Sequence, residues 1–470
     1  MSISTNKKFI ESLNYTTEKG YYNLGNKNLK SLIKNKKLVI SIYGIGNVGG
    51  PLVAAWLRAG AKVIGVDISE KLLSDIKAGK SHKKEPFLKN IFSNALKKNN
   101  LVLLSNGKEA SKKSDIKIIA VPVDIKKDKI DLAALKSVST DIGKGLKKKD
   151  AVLISPSIPP GTCEKVVLPI LEKLSKLKGE RDFFFIYNPE RIYEGRALED
   201  IEKNHPAIVS GLGKKSLEFA EELLTIISAK GVVSMSSIAN AEAEKLFEGV
   251  FRDVNIALAN ELAEFCERVG VDFWEARKGA NSQPFCNLHY PGTGVGGLCI
   301  PVYSKFLIEY SKKIGKSLKI VEYARKTNDM MPKKCVNDSI KLLLSNNAKR
   351  KGIKISILGL GFRGEVTDSR LSPTYSVVSE FLKHGFKISV HDPFIKQDNN
   401  LPKQVLLTDD LGKAVSNATL IFISTDHQMY SKLNKKSFSK AKKPLLIFDG
   451  RNILNNNNFK NTSLITLGLR

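Results

Sequence analysis

The chain has no long apolar run, little cysteine, only two tryptophans and too little acid to balance its base. Nothing in it approaches the roughly 20 consecutive apolar residues that cross a bilayer, so no membrane-spanning helix and no membrane partner are expected. The polar, Lys/Asn-rich stretch from Met1 to Lys37 lacks an apolar h-region and a small-residue cleavage site, which argues against a secretory signal and for a cytoplasmic location. The five cysteines (Cys163, Cys266, Cys286, Cys299 and Cys335) are odd in number and never spaced Cys-x-x-Cys. That pattern argues against both a disulfide framework and a zinc site, and no metal is expected. The shortage of acid leaves a formal charge of +29. The lysines are spread through the chain and form no stripe interleaved with aromatics, so the excess reads as a solvated basic surface, not a nucleic-acid site. Its positive field still attracts an anionic substrate.

At 470 residues the chain exceeds one typical core, which implies several domains. From 38 to about 230, short β-branched runs (Leu38 to Tyr43, Ala61 to Asp67, Ile116 to Val121, Ala151 to Ser155, Phe183 to Tyr187) alternate with amphipathic stretches, the pattern of a parallel sheet covered by helices. From about Ser237 to Val269, Leu246, Val250, Val254, Leu258, Leu262, Phe265 and Val269 recur at helical spacing, with Gly270 as the stop. Strand-like runs return at Lys354 to Leu358, Lys387 to His391, Thr419 to Ser424 and Pro444 to Phe448. The expected fold is α/β, with two Rossmann-like doubly wound domains joined by a long central helix. The expected division is an extension over 1–37, a dinucleotide-binding domain over 38–230, a central helical region over 231–335 and a second Rossmann-like domain over 336–470.

Gly44-Ile45-Gly46-Asn47-Val48-Gly49 follows a strand and leads into a helical run. The first glycine permits the turn, the second lets backbone approach a pyrophosphate, and the third allows close helix packing. Asp67 ends the next strand, where a carboxylate accepts from a ribose 2′-hydroxyl and repels a 2′-phosphate, so the expected cofactor is NAD. Gly359-Leu360-Gly361-Phe362-Arg363-Gly364 repeats the spacing, but its helix is expected to start only near Ser372, with Pro373 in the first turn. The inserted segment carries Arg363 and Arg370, which suit the phosphates of a nucleotide diphosphate better than a second NAD. Cys299 lies in the glycine-rich Pro291 to Pro301 segment, and a positioned thiol beside a hydride acceptor can take an alcohol past the aldehyde. Glu190, in Asn188-Pro189-Glu190-Arg191, stands at a strand's C-terminal end. Lys245, Glu248, Arg252 and Asn255 share one face of the long helix.

Taken together, the Gly44 to Gly49 turn, Ser157 to Thr162, Asn188 to Ile192, Ala243 to Lys245, Phe251 to Ile256 and Gly294 to Cys299 resemble, in order and spacing, the nucleotide-sugar 6-dehydrogenases. The motifs around Glu190, Phe251 and Pro291 are more similar to the members acting on UDP-N-acetylmannosamine than to those acting on UDP-glucose. The resemblance implies NAD-dependent, four-electron oxidation of the C6 hydroxymethyl of a UDP-N-acetylhexosamine by a homodimer. Cys299 would form the thiohemiacetal and thioester, Lys245 would stabilise the oxyanion, Glu190 would act as general base, and Ser157 would hold a water or the C6 oxygen beside the cofactor. Arg191, Lys245, Arg252, Asn255, Asn287, Gly296, Arg363 and Arg370 would bind the sugar nucleotide. The chain departs from the family pattern at Tyr303, where an acid is common, at Gly249, where asparagine is common, and at Phe285, where arginine is common. Those departures leave open a homologue with lost or altered turnover, and a UDP-glucose-type substrate also stays open.

Overall fold

The computed structural model describes residues 28–80, 85, 87–126, 129–348 and 352–469. The extension expected over 1–37 therefore lies mostly outside the described residues; its described part holds the short helix Asn28–Lys34. The chain forms two compact units, Met1–Phe247 and Glu248–Arg470.

In the first unit the strands are β1 (Val39–Tyr43), β2 (Lys62–Val66), β3 (Leu101–Leu104), β4 (Ile116–Ile119), the short antiparallel pair β5 (Asp124–Lys126) and β6 (Lys129–Asp131), then β7 (Ala151–Ile154), β8 (Phe184–Tyr187), β9 (Ala207–Gly211) and β10 (Val232–Ser234). Eight of these form one sheet in the order β10-β9-β8-β7-β4-β1-β2-β3. Strands β1, β4, β7 and β8 are buried at every position, as a sheet with both faces covered requires. The expectation of a parallel sheet holds as far as β8 and then fails, because β9 runs antiparallel to β8. The intervening chain is mostly the loop after Asn188 and a short helical stretch over 197–204, so it re-enters the sheet from the end at which it left.

The second unit holds β11 (Lys354–Leu358), β12 (Lys387–His391), β13 (Leu406–Thr408), β14 (Leu420–Ile423), β15 (Leu446–Asp449) and β16 (Ser463–Thr466). Their order is β13-β12-β11-β14-β15-β16, parallel throughout. In both sheets the order reverses beside the first strand of the unit, and the glycine turns after β1 and β11 stand at those switch points, where open α/β sheets bind ligands.

Six helices position the candidate residues: α1 (Gly49–Arg58), α2 (Ile238–Val269), α3 (Phe273–Ala280), α4 (Ile300–Lys313), α5 (Lys319–Ser345) and α6 (Pro373–Lys383). Helix α1 starts on the third glycine of its turn and buries Trp56 completely. Helix α2 has 32 residues, roughly 48 Å at 1.5 Å each, and stops before Gly270, whose φ is +74°. Its buried face differs from the apolar series read from the sequence. Of that series Leu246 is fully buried, whereas Leu258, Phe265 and Val269 are exposed. The row turned inward is mostly small or polar: Gly249, Asp253, Ala257, Asn260, Ala263 and Cys266. Small side chains let neighbouring backbone approach, and the polar ones meet partners there. In the second unit Asp253 pairs with Arg325 of α5 at 2.6 Å, both buried.

Candidate functional site

In the first unit the glycine turn is built for close approach. Gly44 has φ +84°, and a Cβ at Gly49 would run into the carbonyl of Gly44. A Cβ at Gly46 would meet nothing within 4 Å, so that backbone is open to a ligand. The first turn of α1 has no side-chain cap; Gly50 N donates to Gly46 O at 3.0 Å and Leu52 N to Val48 O at 3.2 Å, and the positive end of the helix dipole favours an anion there. Asp67 accepts from Ile45 N at 3.0 Å and from Ser69 N at 2.9 Å. It stays partly exposed, and a carboxylate has further lone pairs for a ribose. The residues present fit a dinucleotide: the turn from Gly44 to Gly49 leaves room for a pyrophosphate at Gly46, and Asp67 has lone pairs left for a ribose.

The sequence-predicted residues Glu190 and Lys245 come together. Glu190 follows β8 through Asn188, whose Nδ2 donates to Ile208 O at 2.7 Å, and Glu190 N donates to Ser155 O at 3.3 Å. Its Oε1 lies 3.9 Å from Nζ of Lys245 on α2, and both side chains are largely buried. Ser157, after β7, is buried, and its Oγ has no hydrogen-bond partner among the described residues. Such a group calls for a ligand or water to complete it. Arg191 Nη1 donates to Pro206 O at 3.4 Å. Sequence reasoning passed over Glu242, one turn before Lys245. Its fully buried carboxylate accepts from Gly161 N and, at 2.8 Å, from Cys163 N, tying α2 to the end of the Ser157 to Thr162 segment. Burial pushes Glu242 up to about 7, although those two N–H groups act to lower it, and burial with Glu242 alongside pushes the Cys163 thiol well up. A glutamate in a row otherwise turned inward was the available signal.

In the second unit Cys299 is exposed and is the N-cap of α4, with Pro301 in the first turn, as the sequence implied. The turn before it is held at several points. Gly292 N donates to Asn260 Oδ1 at 2.9 Å, Thr293 Oγ1 to Ser424 O at 3.2 Å, and Gly297 N to Arg370 O at 3.1 Å. Gly296 has no room for a side chain: a Cβ there would lie 2.5 Å from Leu371 O and 2.8 Å from Cβ of Phe362. Asn255 and Asn287 meet, with Asn255 Nδ2 donating to Asn287 O at 2.8 Å and Asn255 Oδ1 accepting from His289 N at 2.9 Å. Arg252 is exposed; with Arg277 it acts to lower the His289 pKa, behind burial as the larger cause. Arg363 lies 6.0 Å over the ring of Phe362, and Arg370 is gripped by Asp368, with Nε 2.9 Å from each carboxylate oxygen.

The second glycine motif departs from the first as expected. Helix α6 begins at Pro373, and Ser372 Oγ accepts from Thr374 N at 3.2 Å. The sequence did not show what fills the turn. Asp392, at the end of β12 and fully buried, accepts from Leu360 N at 2.7 Å and Gly361 N at 3.0 Å with one oxygen, and from Phe394 N and Ile395 N at 2.9 Å with the other. His427 Nδ1 accepts from Glu365 N, so its Nε2 carries the proton toward Asp392, 3.3 Å away. Burial would raise Asp392; the histidine and the N–H groups of Gly361 and Phe394 outweigh it and hold the carboxyl below its usual range. Asp392 occupies the strand end that Asp67 takes in the first unit, and that correspondence was the signal for it.

Known families fit this arrangement in consecutive pieces. The NAD binding domain of the UDP-glucose/GDP-mannose dehydrogenase family matches residues 38–228, its central domain 239–330 and its UDP binding domain 356–456. The chain belongs to this family. It is an NAD-dependent UDP-sugar 6-dehydrogenase. It is 32% identical over 435 residues to the UDP-N-acetyl-D-mannosamine dehydrogenase of Methanococcus vannielii, covering 91% of this chain and 96% of that protein. Among solved structures it is similar to the UDP-D-ManNAc dehydrogenase of Pyrococcus horikoshii, with a TM-score of 0.84, 29% identity, and coverage of 92% of this chain and 99% of that one. It is also similar to the NDP-N-acetyl-D-galactosaminuronic acid dehydrogenase of Methanosarcina mazei Go1, with a TM-score of 0.79, 30% identity, and coverage of 94% and 98%. No helix among the described residues is long and apolar enough to cross a membrane.

Proposed function

We propose that the chain oxidises the C6 hydroxymethyl of a UDP-N-acetylhexosamine, UDP-N-acetylmannosamine first among them, to the uronate. The observation that carries this reading is Cys299, an exposed thiol capping the N-terminus of α4, where the helix dipole favours the thiolate. NAD, held by the Gly44 to Gly49 turn and Asp67, supplies when bound the two-electron acceptor for each of two oxidations at C6. The Cys299 thiolate adds to the C6 aldehyde, giving a thiohemiacetal whose oxidation leaves a thioester. Lys245 offers its ammonium to the oxygen that becomes negative, and Ser157 offers its hydroxyl to that oxygen or to a water. Glu190 takes a proton from the water that opens the thioester, and the thiolate departs. Arg191, Arg252, Asn255, Asn287, Gly296, Arg363 and Arg370 bind the sugar nucleotide, and the protein acts in the cytoplasm as a homodimer.

The test is a panel of UDP-sugars incubated with purified protein and NAD, reading NADH and product mass. Two NADH per uronate are expected with UDP-N-acetylmannosamine, and Cys299→Ala is expected to stop uronate accumulation. No NADH with any UDP-hexose or UDP-N-acetylhexosamine would overturn the reading. One NADH per aldehyde released would overturn the role of the thiol.

A further inference from the structure

Two features of the second unit that the sequence marks separately, the only glycine inside α2 and the tyrosine one turn beyond Cys299, are in contact. A methyl group on Gly249 would lie 2.5 Å from Cδ2, 3.1 Å from Cβ and 3.2 Å from Cγ of Tyr303. The Tyr303 side chain is buried in that notch. Glycine is among the poorest residues for a helix interior, and here the absent side chain is the space that the ring fills. Tyr303 is also bound to the cysteine through the main chain, since Tyr303 N donates to Cys299 O at 2.9 Å and so closes the first turn of α4. On the other side of the thiol, the glycine turn is tied to α2 by Asn260, which accepts from Gly292 N. Asn260 is itself braced by Asn328 of α5 at 2.9 Å. Gly249 and Asn260 are 11 residues apart, about three turns and roughly 16 Å along one face of α2.

We propose that Gly249 and Tyr303 are an interlocked positioning pair, which seats the first turn of α4 on α2 and thereby sets where the Cys299 thiol points. The aromatic ring and the missing side chain are one device: removing the ring alone, or adding a side chain at Gly249 alone, moves the cysteine. The inference rests on Cys299 being the nucleophile proposed above. Near-attack geometry is unforgiving, and a displacement of about 1 Å can lower a rate by about 10²-fold.

The experiment compares Gly249→Ala, Tyr303→Ala, Tyr303→Phe and the Gly249→Ala/Tyr303→Ala double variant of the full chain. Two readings are taken: initial rates with NAD and UDP-N-acetylmannosamine, and the rate of Cys299 alkylation by iodoacetamide against pH, mapped by peptide mass. Gly249→Ala is expected to lower kcat by about 10- to 100-fold, with KM little changed, and to shift the alkylation profile. Tyr303→Phe keeps the ring and should keep the wild-type alkylation profile, whereas Tyr303→Ala should not. Adding Gly249→Ala to Tyr303→Ala should lower kcat no further, because the clash is gone. Wild-type alkylation in Gly249→Ala, or a loss that is the same with and without the ring, overturns the proposal. If Gly249→Ala does not fold, the contrast between Tyr303→Phe and Tyr303→Ala decides, and identical alkylation profiles overturn the proposal. A wild-type protein that forms no NADH with any UDP-sugar defeats the functional reading, while the alkylation series still decides the seat.

Discussion

Single residues in the first unit carry unusual electrostatic loads. Glu242 is pushed from the ordinary 4.5 up to about 7 by burial. Between those values the carboxyl of the unfolded chain ionises while the folded one does not, so stability falls as pH rises from about 4.5 to about 7 and the loss levels off above that. The difference corresponds to about 3 kcal/mol. Glu242→Gln cannot ionise and should lack this part of the fall, which urea unfolding at several pH values would read directly. Parallel profiles for wild type and variant would show that Glu242 does not titrate in this window. The same unit also holds Lys117 and Asp150 as a fully buried ion pair on β4 and at the start of β7. Burial drives the lysine down to about 8 and the aspartate up, so each depends on the other to stay charged.

Strand–turn–helix elements explain why two similar glycine motifs do different work. After β1 the chain enters α1 at once, and Asp67 bonds the turn while remaining partly exposed. After β11 an inserted segment delays α6 until Pro373, and Asp392 closes the turn from inside with four backbone N–H groups and His427. Asp392→Ala should therefore destabilise the second unit by about 2–4 kcal/mol, because buried donors lose their acceptor. NAD affinity, which belongs to the domain matched over residues 38–228, should not change. Thermal unfolding and NAD titration of the same preparation measure both. A variant as stable as wild type would show that the carboxylate is not what holds the turn.

At the scale of the whole molecule, α2 presents Phe251, Leu258, Phe265 and Val269 at 56%, 44%, 59% and 53% exposure. Residues of that size spaced by seven, seven and four along one helix form an apolar row suited to a second copy of the chain, because a two-fold pairing brings the same row against itself. If the proposed homodimer forms through this row, Leu258→Glu combined with Phe265→Glu should convert it to a monomer in sedimentation velocity, while each unit keeps its fold by circular dichroism. A wild-type protein that sediments as a monomer, or a double variant that stays dimeric, would remove α2 from the interface. The +29 formal charge contributes in a different way, raising the local concentration of an anionic substrate without selecting which one.

The sequence by itself determined what depends on neighbours along the chain. Periodicity set the buried strands and the reach of α2, while turn chemistry set Gly44 to Gly49, the Ser372 cap and the place of Cys299 at a helix start. Tertiary structure alone decided what depends on elements meeting. It reversed β9, turned the small and polar row of α2 inward, paired Lys245 with Glu190, bound Glu242 to the Gly161 and Cys163 amides, and laid Tyr303 over Gly249. Local spacing cannot show such things, because a side chain's value for packing or hydrogen bonding is fixed by the surface brought against it. A glycine and a tyrosine far apart in sequence become one structural device only once α4 lies against α2.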